Sequence, residues 1–116
     1  MKLAIPTKGD KGLEDTVSNV FGKAPTFTIL EIDNGSVVNV EVVENPAASY
    51  KHGSGPIAIK TLADIKVDVA AANELGIGAS TLLEMHKIRK FTVKPNTTVK
   101  DAVQKIIEEL SEQTSK

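Results

Sequence analysis

The chain has 116 residues, of which 41% are hydrophobic and 25% charged, a composition typical of a globular protein and not of a disordered one. Fourteen lysines and arginines against fifteen acidic residues give a net charge of -1, which disfavours nucleic acid or an anionic membrane as the main partner. The absence of cysteine excludes disulfides, thiolate nucleophiles and cysteine-ligated metal sites. No apolar run approaches the roughly 20 residues of a bilayer span and no secretory signal is visible, so we expect a cytoplasmic protein.

The first half of the chain is predicted to be mostly strand. Three segments have the pattern of strands: Lys2–Pro6, Thr26–Ile32 and Val37–Val43. Residues 7–12 are polar and contain glycine, which predicts a loop. Asp15–Phe21 is predicted to form a short helix that ends at Gly22 with a positive φ. Asn34-Gly35 lies between two β-branched runs and is a strong signal for a β-hairpin.

The second half is predicted to alternate helices and strands. The segments are a helix from about Pro56 to Asp64, a strand within Val67–Ala72, a helix over Gly78–His86, a strand over Ile88–Val93 and a helix over Val99–Leu110. The last helix has an apolar stripe, and Thr98–Asp101 matches a capping box with Asp in place of Glu. This alternation implies parallel pairing through right-handed crossovers, hence a mixed sheet of about five strands covered by helices. We expect one domain, residues 1–110, followed by a polar tail, residues 111–116.

Two glycine-bearing segments precede predicted helices and are candidates for ligand binding. Lys51–Gly55 lies before the helix that starts near Pro56, and Asn73–Gly78 follows the fourth strand. Free N–H groups at a helix N-terminus favour anions, and bare glycines let a ligand approach the backbone. The same residues could serve only as turns and caps, and the sequence leaves both interpretations open.

Catalytic and metal-binding patterns are weak. The only two histidines, His52 and His86, are far apart in sequence and form no metal-binding spacing, which disfavours a protein-only metal cage. His86 lies near a helix C-terminus, where a cation is favourable. Ser54 has no nucleophile elbow around it. Because no set of acid, base and nucleophile can be assembled, we expect a protein that is not an enzyme.

Four segments together carry a family resemblance: KLAIPT at 2–7, VSNVFGKAP at 17–25, ENPA at 44–47 and HGSGP at 52–56. With these segments in this order, the chain resembles the dinitrogenase iron–molybdenum cofactor biosynthesis family, which comprises small domains related to nitrogenase accessory proteins. The resemblance extends from Lys2 to about Leu110. The resemblance implies a ribonuclease-H-like three-layer α/β/α fold with a five-stranded mixed sheet of order 3-2-1-4-5 and an antiparallel second strand. The chain departs from the family pattern at Val20, often a histidine, at Lys23, often an arginine, and over residues 73–78.

The resemblance also implies a function. It suggests a non-enzymatic accessory or carrier protein that transiently binds the iron–molybdenum cofactor, an iron–sulfur cluster or a precursor, with cluster donor and acceptor proteins as partners. A preassembled cluster brings its own sulfides, so we assign His52 as the one metal ligand. The residues assigned to cofactor binding are Lys8, Lys51, His52, Gly53, Ser54, Gly55, Gly76 and Gly78, as cations or hydrogen-bond donors. Two alternatives stay open: a module that binds small anions or nucleotides without metal, and a regulatory domain that pairs with another protein through a sheet edge.

Overall fold

The computed structural model describes residues 1–114. Its five strands are β1 (Lys2–Thr7), β2 (Thr26–Asp33), β3 (Ser36–Glu44), β4 (Val69–Ala72) and β5 (Arg89–Thr92). Its three α-helices are α1 (Ser54–Asp64), α2 (Ile77–Met85) and α3 (Val99–Thr114), and short 3-10 turns lie at Gly12–Glu14 and Pro46–Ser49. A hairpin followed by alternating helices and strands is therefore confirmed.

The strands form one sheet in the order β3-β2-β1-β4-β5. The second strand is antiparallel to both of its neighbours, β1 and β3, whereas β4 is parallel to β1 and β5. The strand order and the antiparallel second strand implied by the resemblance are confirmed. Because β1, β4 and β5 run in the same direction, the loops that follow them leave from the same edge of the sheet.

The β2–β3 hairpin follows from its turn residues. Asn34 and Gly35 both have positive φ, 51° and 79°, as a type I′ turn requires. Glycine adopts this conformation without strain, and asparagine tolerates it better than other side chains. The turn sets Asp33 opposite Ser36 and so fixes the register of the strands.

Helices cover both faces of the sheet, which gives three layers. One core cluster packs α3 against the sheet: Leu3, Ile5, Val17, Leu30, Ile32, Val69, Ala71, Phe91, Val93, Val99, Ala102, Val103 and Ile106. The other packs α1 and α2 on the opposite face: Ala4, Phe21, Phe27, Ile29, Ala47, Ala58, Ile59, Leu62, Val67, Ala70, Ala72, Leu83 and Ile88. Both clusters are mainly aliphatic, as the composition predicts, and their burial is the main favourable term in folding.

The prediction of a short helix over Asp15–Phe21 is wrong. This segment contains bends and two isolated bridges and no helix, and Val17 pairs antiparallel with Thr7. The Val17 N–H donates to the Thr97 carbonyl at 2.8 Å, and the Ser18 N–H donates to the Pro6 carbonyl at 2.8 Å. Distant strands and loops therefore satisfy the backbone groups that a helix would pair locally, and β-branched residues suit the two bridges.

Helix α3 begins as the sequence predicts and ends later. The Thr98 hydroxyl accepts a hydrogen bond from the Asp101 N–H at 3.2 Å, the capping contact expected from a Thr three residues before an acid. The helix runs through Thr114, and so extends into the segment predicted as a polar tail. The last two residues, Ser115 and Lys116, lie outside the described residues, and the division of the chain at residue 110 stays a prediction.

Candidate functional site

A cleft of about 740 Å³ lies beside the carboxyl end of β4. A cleft of this size suits a small-molecule ligand or a cofactor. Four parts of the chain line it: Asn19, Val20, Phe21 and Gly22 after β1, Ser54 and Gly55 at the start of α1, Asn73, Glu74, Leu75, Gly76 and Ala79 around the start of α2, and Lys90 on β5.

Two helix N-termini contribute to this cleft. Helix α1 has Gly53 as its N-cap, with φ 74° and ψ 15°, and helix α2 has Gly76, with φ -66° and ψ 164°. Neither N-cap offers a side chain to the first-turn N–H groups, because both residues are glycine. The first turns of both helices therefore present uncapped amides, where the helix dipoles also favour negative charge.

The wall of the cleft formed by residues 19–22 is packed tightly against the start of α1. A Cβ atom on Gly22 would lie 2.8 Å from the Gly55 nitrogen and 2.8 Å from the Ser54 Oγ, distances that the backbone does not tolerate. Gly22 does not have the positive φ predicted from the sequence, since the positive-φ glycines are Gly12, Gly35 and Gly53. Position 22 requires a glycine because the chain passes close to α1 there, and not because a helix ends there.

Two contacts hold this wall in place. Phe21 is buried and meets the ring of Phe27 edge to face, with 5.2 Å between the ring centroids. Asn45 is also buried, and its side-chain amide donates to the carbonyl oxygens of Gly22 and Ala24 at 3.0 and 2.9 Å. The Asn45 Oδ1 accepts from the Ala47 N–H at 3.0 Å, so every polar atom of this side chain is paired.

The side chains of the cleft are mixed in character. Lys90 is the one cation and Glu74 the one acid among the lining residues, and both are exposed. Asn19 and Asn73 add neutral amides that can donate or accept hydrogen bonds. Because the formal charges of the lining side chains cancel, any preference for an anion would come from the helix amides and from the placement of Lys90.

The structure brings together three of the residues assigned from the sequence and separates the others. Ser54, Gly55 and Gly76 line the cleft, from two different helices. Lys51, His52 and Gly53 are exposed residues that immediately precede α1, and Gly78 is exposed in the first turn of α2; none of these four lines the cleft.

Lys8 lies at a different place. Its ammonium group donates to the Asn96 Oδ1, and it borders a smaller cleft of about 280 Å³ together with the buried Asp15. The Asp15 carboxylate accepts from the N–H groups of Lys11 and Thr16. Within the part of the chain that the structure describes, no group of three or more His, Asp or Glu side chains is arranged to hold a metal ion.

Sequence reasoning missed two of the polar residues that line the cleft. Asn19 belongs to the segment predicted as a helix, and its place in the wall follows only from the non-helical path of that segment. Lys90 lies opposite Ala70 in the parallel β4–β5 pair, so pairing between strands and not a local motif brings it to the cleft. No signal in the sequence around Lys90 marks it as a binding residue.

The fold and cleft together define a small α/β domain with a mixed 3-2-1-4-5 sheet and two uncapped helix N-termini at one cleft. No helix within residues 1–114 is long and apolar enough to cross a membrane. A family model, dinitrogenase iron-molybdenum cofactor, matches residues 1–109. The chain belongs to this family, which confirms the resemblance found in the sequence.

Individual relatives agree with this assignment. The chain is 31% identical over 98 residues to the uncharacterized protein MJ0580 of Methanocaldococcus jannaschii. This alignment covers 84% of this chain and 77% of that protein. The apo form of the orange protein from Desulfovibrio gigas superposes with a TM-score of 0.84 and 27% identity over 93% of this chain and 88% of the other. A proposed NifB protein from Thermotoga, TM1290, superposes with a TM-score of 0.75 and 32% identity over 92% of this chain and 87% of the other.

Proposed function

We propose that this protein is a non-enzymatic, cytoplasmic carrier that holds an iron–molybdenum cofactor, another metal–sulfur cluster or a precursor of one as its cargo. The observation that supports the proposal most is the cleft at which two uncapped helix N-termini meet. Membership of the dinitrogenase iron-molybdenum cofactor family indicates the class of cargo. The likeness to the orange protein, whose structure was solved as an apo form, is consistent with a protein of this fold that takes up a group and gives it up.

The cleft supplies hydrogen-bond donors to such a cargo. Metal–sulfur clusters are anionic, and their sulfides accept hydrogen bonds from amides. The first-turn N–H groups of Ser54 and Gly55 and the ammonium group of Lys90 are suitable donors at the lining of the cleft. The cargo brings its own sulfides, since the chain has no cysteine. Without thiolate ligands such binding would be readily reversed, as transfer requires.

His52 is the candidate for a single coordinate bond. It is exposed and joined to the cleft by one glycine, Gly53, which precedes Ser54. In this proposal the imidazole reaches the cargo from the rim of the cleft, and Lys51 beside it offsets negative charge. One protein ligand anchors a cluster without enclosing it, so a partner can approach the remaining face.

A carrier needs proteins that load and unload it. The family's connection with cofactor biosynthesis suggests a donor protein that assembles the cluster and an acceptor that receives it. We propose no chemical step on the cargo, because the residues that line the cleft include no histidine and a single carboxylate, Glu74.

The same amides would also bind phosphate, so a small-anion or nucleotide-binding module is the second candidate. The observation that favours it is that His52 does not line the cleft, which leaves only donors suited to any anion. The two candidates differ in their dependence on His52. Replacing His52 with Ala should abolish cluster binding under the first proposal and reduce anion binding only slightly under the second.

The experiment that tests both is an anaerobic titration of isotope-labelled protein followed by amide chemical shifts. A synthetic iron–sulfur or iron–molybdenum cluster, inorganic phosphate and ATP are the parallel titrants. Saturable shifts confined to residues 51–55 and 73–80 with the cluster alone would support the carrier. Shifts with phosphate or ATP instead would favour the second candidate, and no shift with any of them would refute the cleft as a binding site.

A matched pair of variants sharpens the titration. Gly76 and Gly78 lie two residues apart at the start of α2, and a Cβ at either position would meet nothing within 4 Å. Only Gly76 lines the cleft. Gly76→Leu should therefore weaken binding of the cargo at least tenfold by occupying the cleft, whereas Gly78→Leu should leave binding unchanged. Equal effects of the two variants would contradict the assignment of this cleft.

A further inference from the structure

The sheet has one protected edge and one open edge. At the protected edge, β5 has only four residues and carries Arg89 and Lys90, and short length and lysine both hinder the addition of a strand. At the other edge, β3 has nine residues and contains no lysine, arginine or proline, and within residues 1–114 it pairs only with β2. Its Val38 and Val40 side chains are 59% and 37% exposed.

A β-bulge opposite Glu31 and Ile32 leaves Val38 without a partner residue on β2. The rest of β3 pairs regularly. From Asn39 to Glu44 each residue faces a successive residue of β2 without interruption. The regular part of the edge is therefore six residues long, enough for a short β-ladder with a second strand. Bulges protect edge strands only where they occur, and no bulge interrupts this part, although the Gly12–Glu14 turn packs against it at Val40.

The hairpin is also acidic. Residues 24–50 contain four acids, Glu31, Asp33, Glu41 and Glu44, and no lysine, arginine or histidine. The other residues of the chain contain all fourteen lysines and arginines against eleven acids, so the charges are separated between the hairpin and the rest. A negative surface of this kind attracts a positively charged partner and repels an acidic one.

Each face of the open edge carries valine and one acid of β3. On the face covered by α3, Val40 lies opposite Leu30, Val42 opposite Thr28 and Glu44 opposite Thr26. On the other face, Asn39 lies opposite Glu31, Glu41 opposite Ile29 and Val43 opposite Phe27. A strand that pairs with β3 would therefore meet both valine and a carboxylate on each face.

We infer that the β3 edge binds an extended segment of a partner protein that carries both aliphatic residues and lysine or arginine. Main-chain hydrogen bonds to β3 would give the affinity, and contacts with the valines and with Glu41 and Glu44 would give the specificity. A second copy of this chain fits less well, because its own β3 would bring Glu41 and Glu44 towards the same two acids. No residue of β3 lines the cleft described above, so the inference does not depend on the proposed cargo.

The test uses short peptides and the full chain. A seven-residue peptide of alternating valine and lysine, capped at both ends, should shift the amide signals of residues 39–44 and saturate, and its affinity should fall as salt is raised. A peptide with glutamate in place of lysine should not bind. Glu41→Gln combined with Glu44→Gln should weaken binding about tenfold, since one exposed ion pair contributes a factor of roughly two to five.

Controls separate strand addition from simple charge attraction. Glu108→Gln combined with Glu109→Gln removes two acids from α3 and should leave peptide binding unchanged. A fully N-methylated valine–lysine peptide keeps its charges but cannot form the ladder, so equal binding of this peptide would overturn the inference. Shifts absent from β3 would overturn it as well. A concentration-dependent dimer of the free chain with shifts along β3 would assign the edge to a second copy and overturn the basic partner.

Discussion

Asn45 connects the cleft wall to the turn that follows β3, and its removal tests how that wall is held. In Asn45→Ala the three hydrogen bonds to Gly22, Ala24 and Ala47, between 2.9 and 3.0 Å long, are lost. The side chain is only 5% exposed, so water cannot easily replace it. With a net contribution of about 1 kcal/mol per hydrogen bond, we expect the free energy of unfolding to fall by about 3 kcal/mol.

The assay is urea unfolding followed by circular dichroism, because the chain has no tryptophan. With a slope of about 1.5 kcal/mol per molar urea, the midpoint should fall by about 2 M. Asn45→Asp keeps the volume but cannot donate two hydrogen bonds, and it should destabilise at least as much. Asn39→Ala, at an exposed position of β3, is the control and should change stability by less than about 0.5 kcal/mol. A loss below about 1 kcal/mol in both Asn45 variants would refute the reasoning.

Three further predictions concern single positions. Gly22→Ala should destabilise by about 1–3 kcal/mol and shift the amide signals of residues 54 and 55, because its Cβ would lie 2.8 Å from the Gly55 nitrogen; unchanged signals would contradict the close packing. Val20→His places an imidazole on a half-exposed position of the cleft and should tighten cluster binding without changing phosphate binding in the anaerobic titration. Thr98→Ala removes the cap of α3 and should lower stability by about 1 kcal/mol in thermal unfolding.

Local patterns were sufficient to predict most of the fold. The Asn34-Gly35 turn and the β-branched runs beside it specify the hairpin, and the apolar stripe after Thr98 specifies α3. These signals involve residues that are close in sequence. Asp15–Phe21 was predicted wrongly because its backbone groups pair with Pro6 and Thr97, which no local pattern reveals. The strand order came from the family resemblance and not from any single pattern.

The cleft was only partly predictable for the same reason. Ser54, Gly55 and Gly76 carry a visible signal, since glycines before a helix suggest uncapped amides. Asn19 and Lys90 carry none, because each reaches the cleft through pairing between distant segments. Gly22 had a visible signal that was interpreted incorrectly: a glycine after a short apolar segment suggests a C-cap, whereas the structure requires it for close packing against α1.

The cleft is assembled from segments that range from residue 19 to residue 90. Because these segments are far apart in sequence, binding of a ligand in the cleft is coupled to folding of the chain. The unfolded chain cannot gather these segments, so a ligand of the cleft binds only the folded state. At a free ligand concentration of one hundred times its Kd, the folded state would gain about 2.7 kcal/mol. Loaded protein would therefore resist proteolysis longer than empty protein, and its lifetime in the cell would report the supply of cargo.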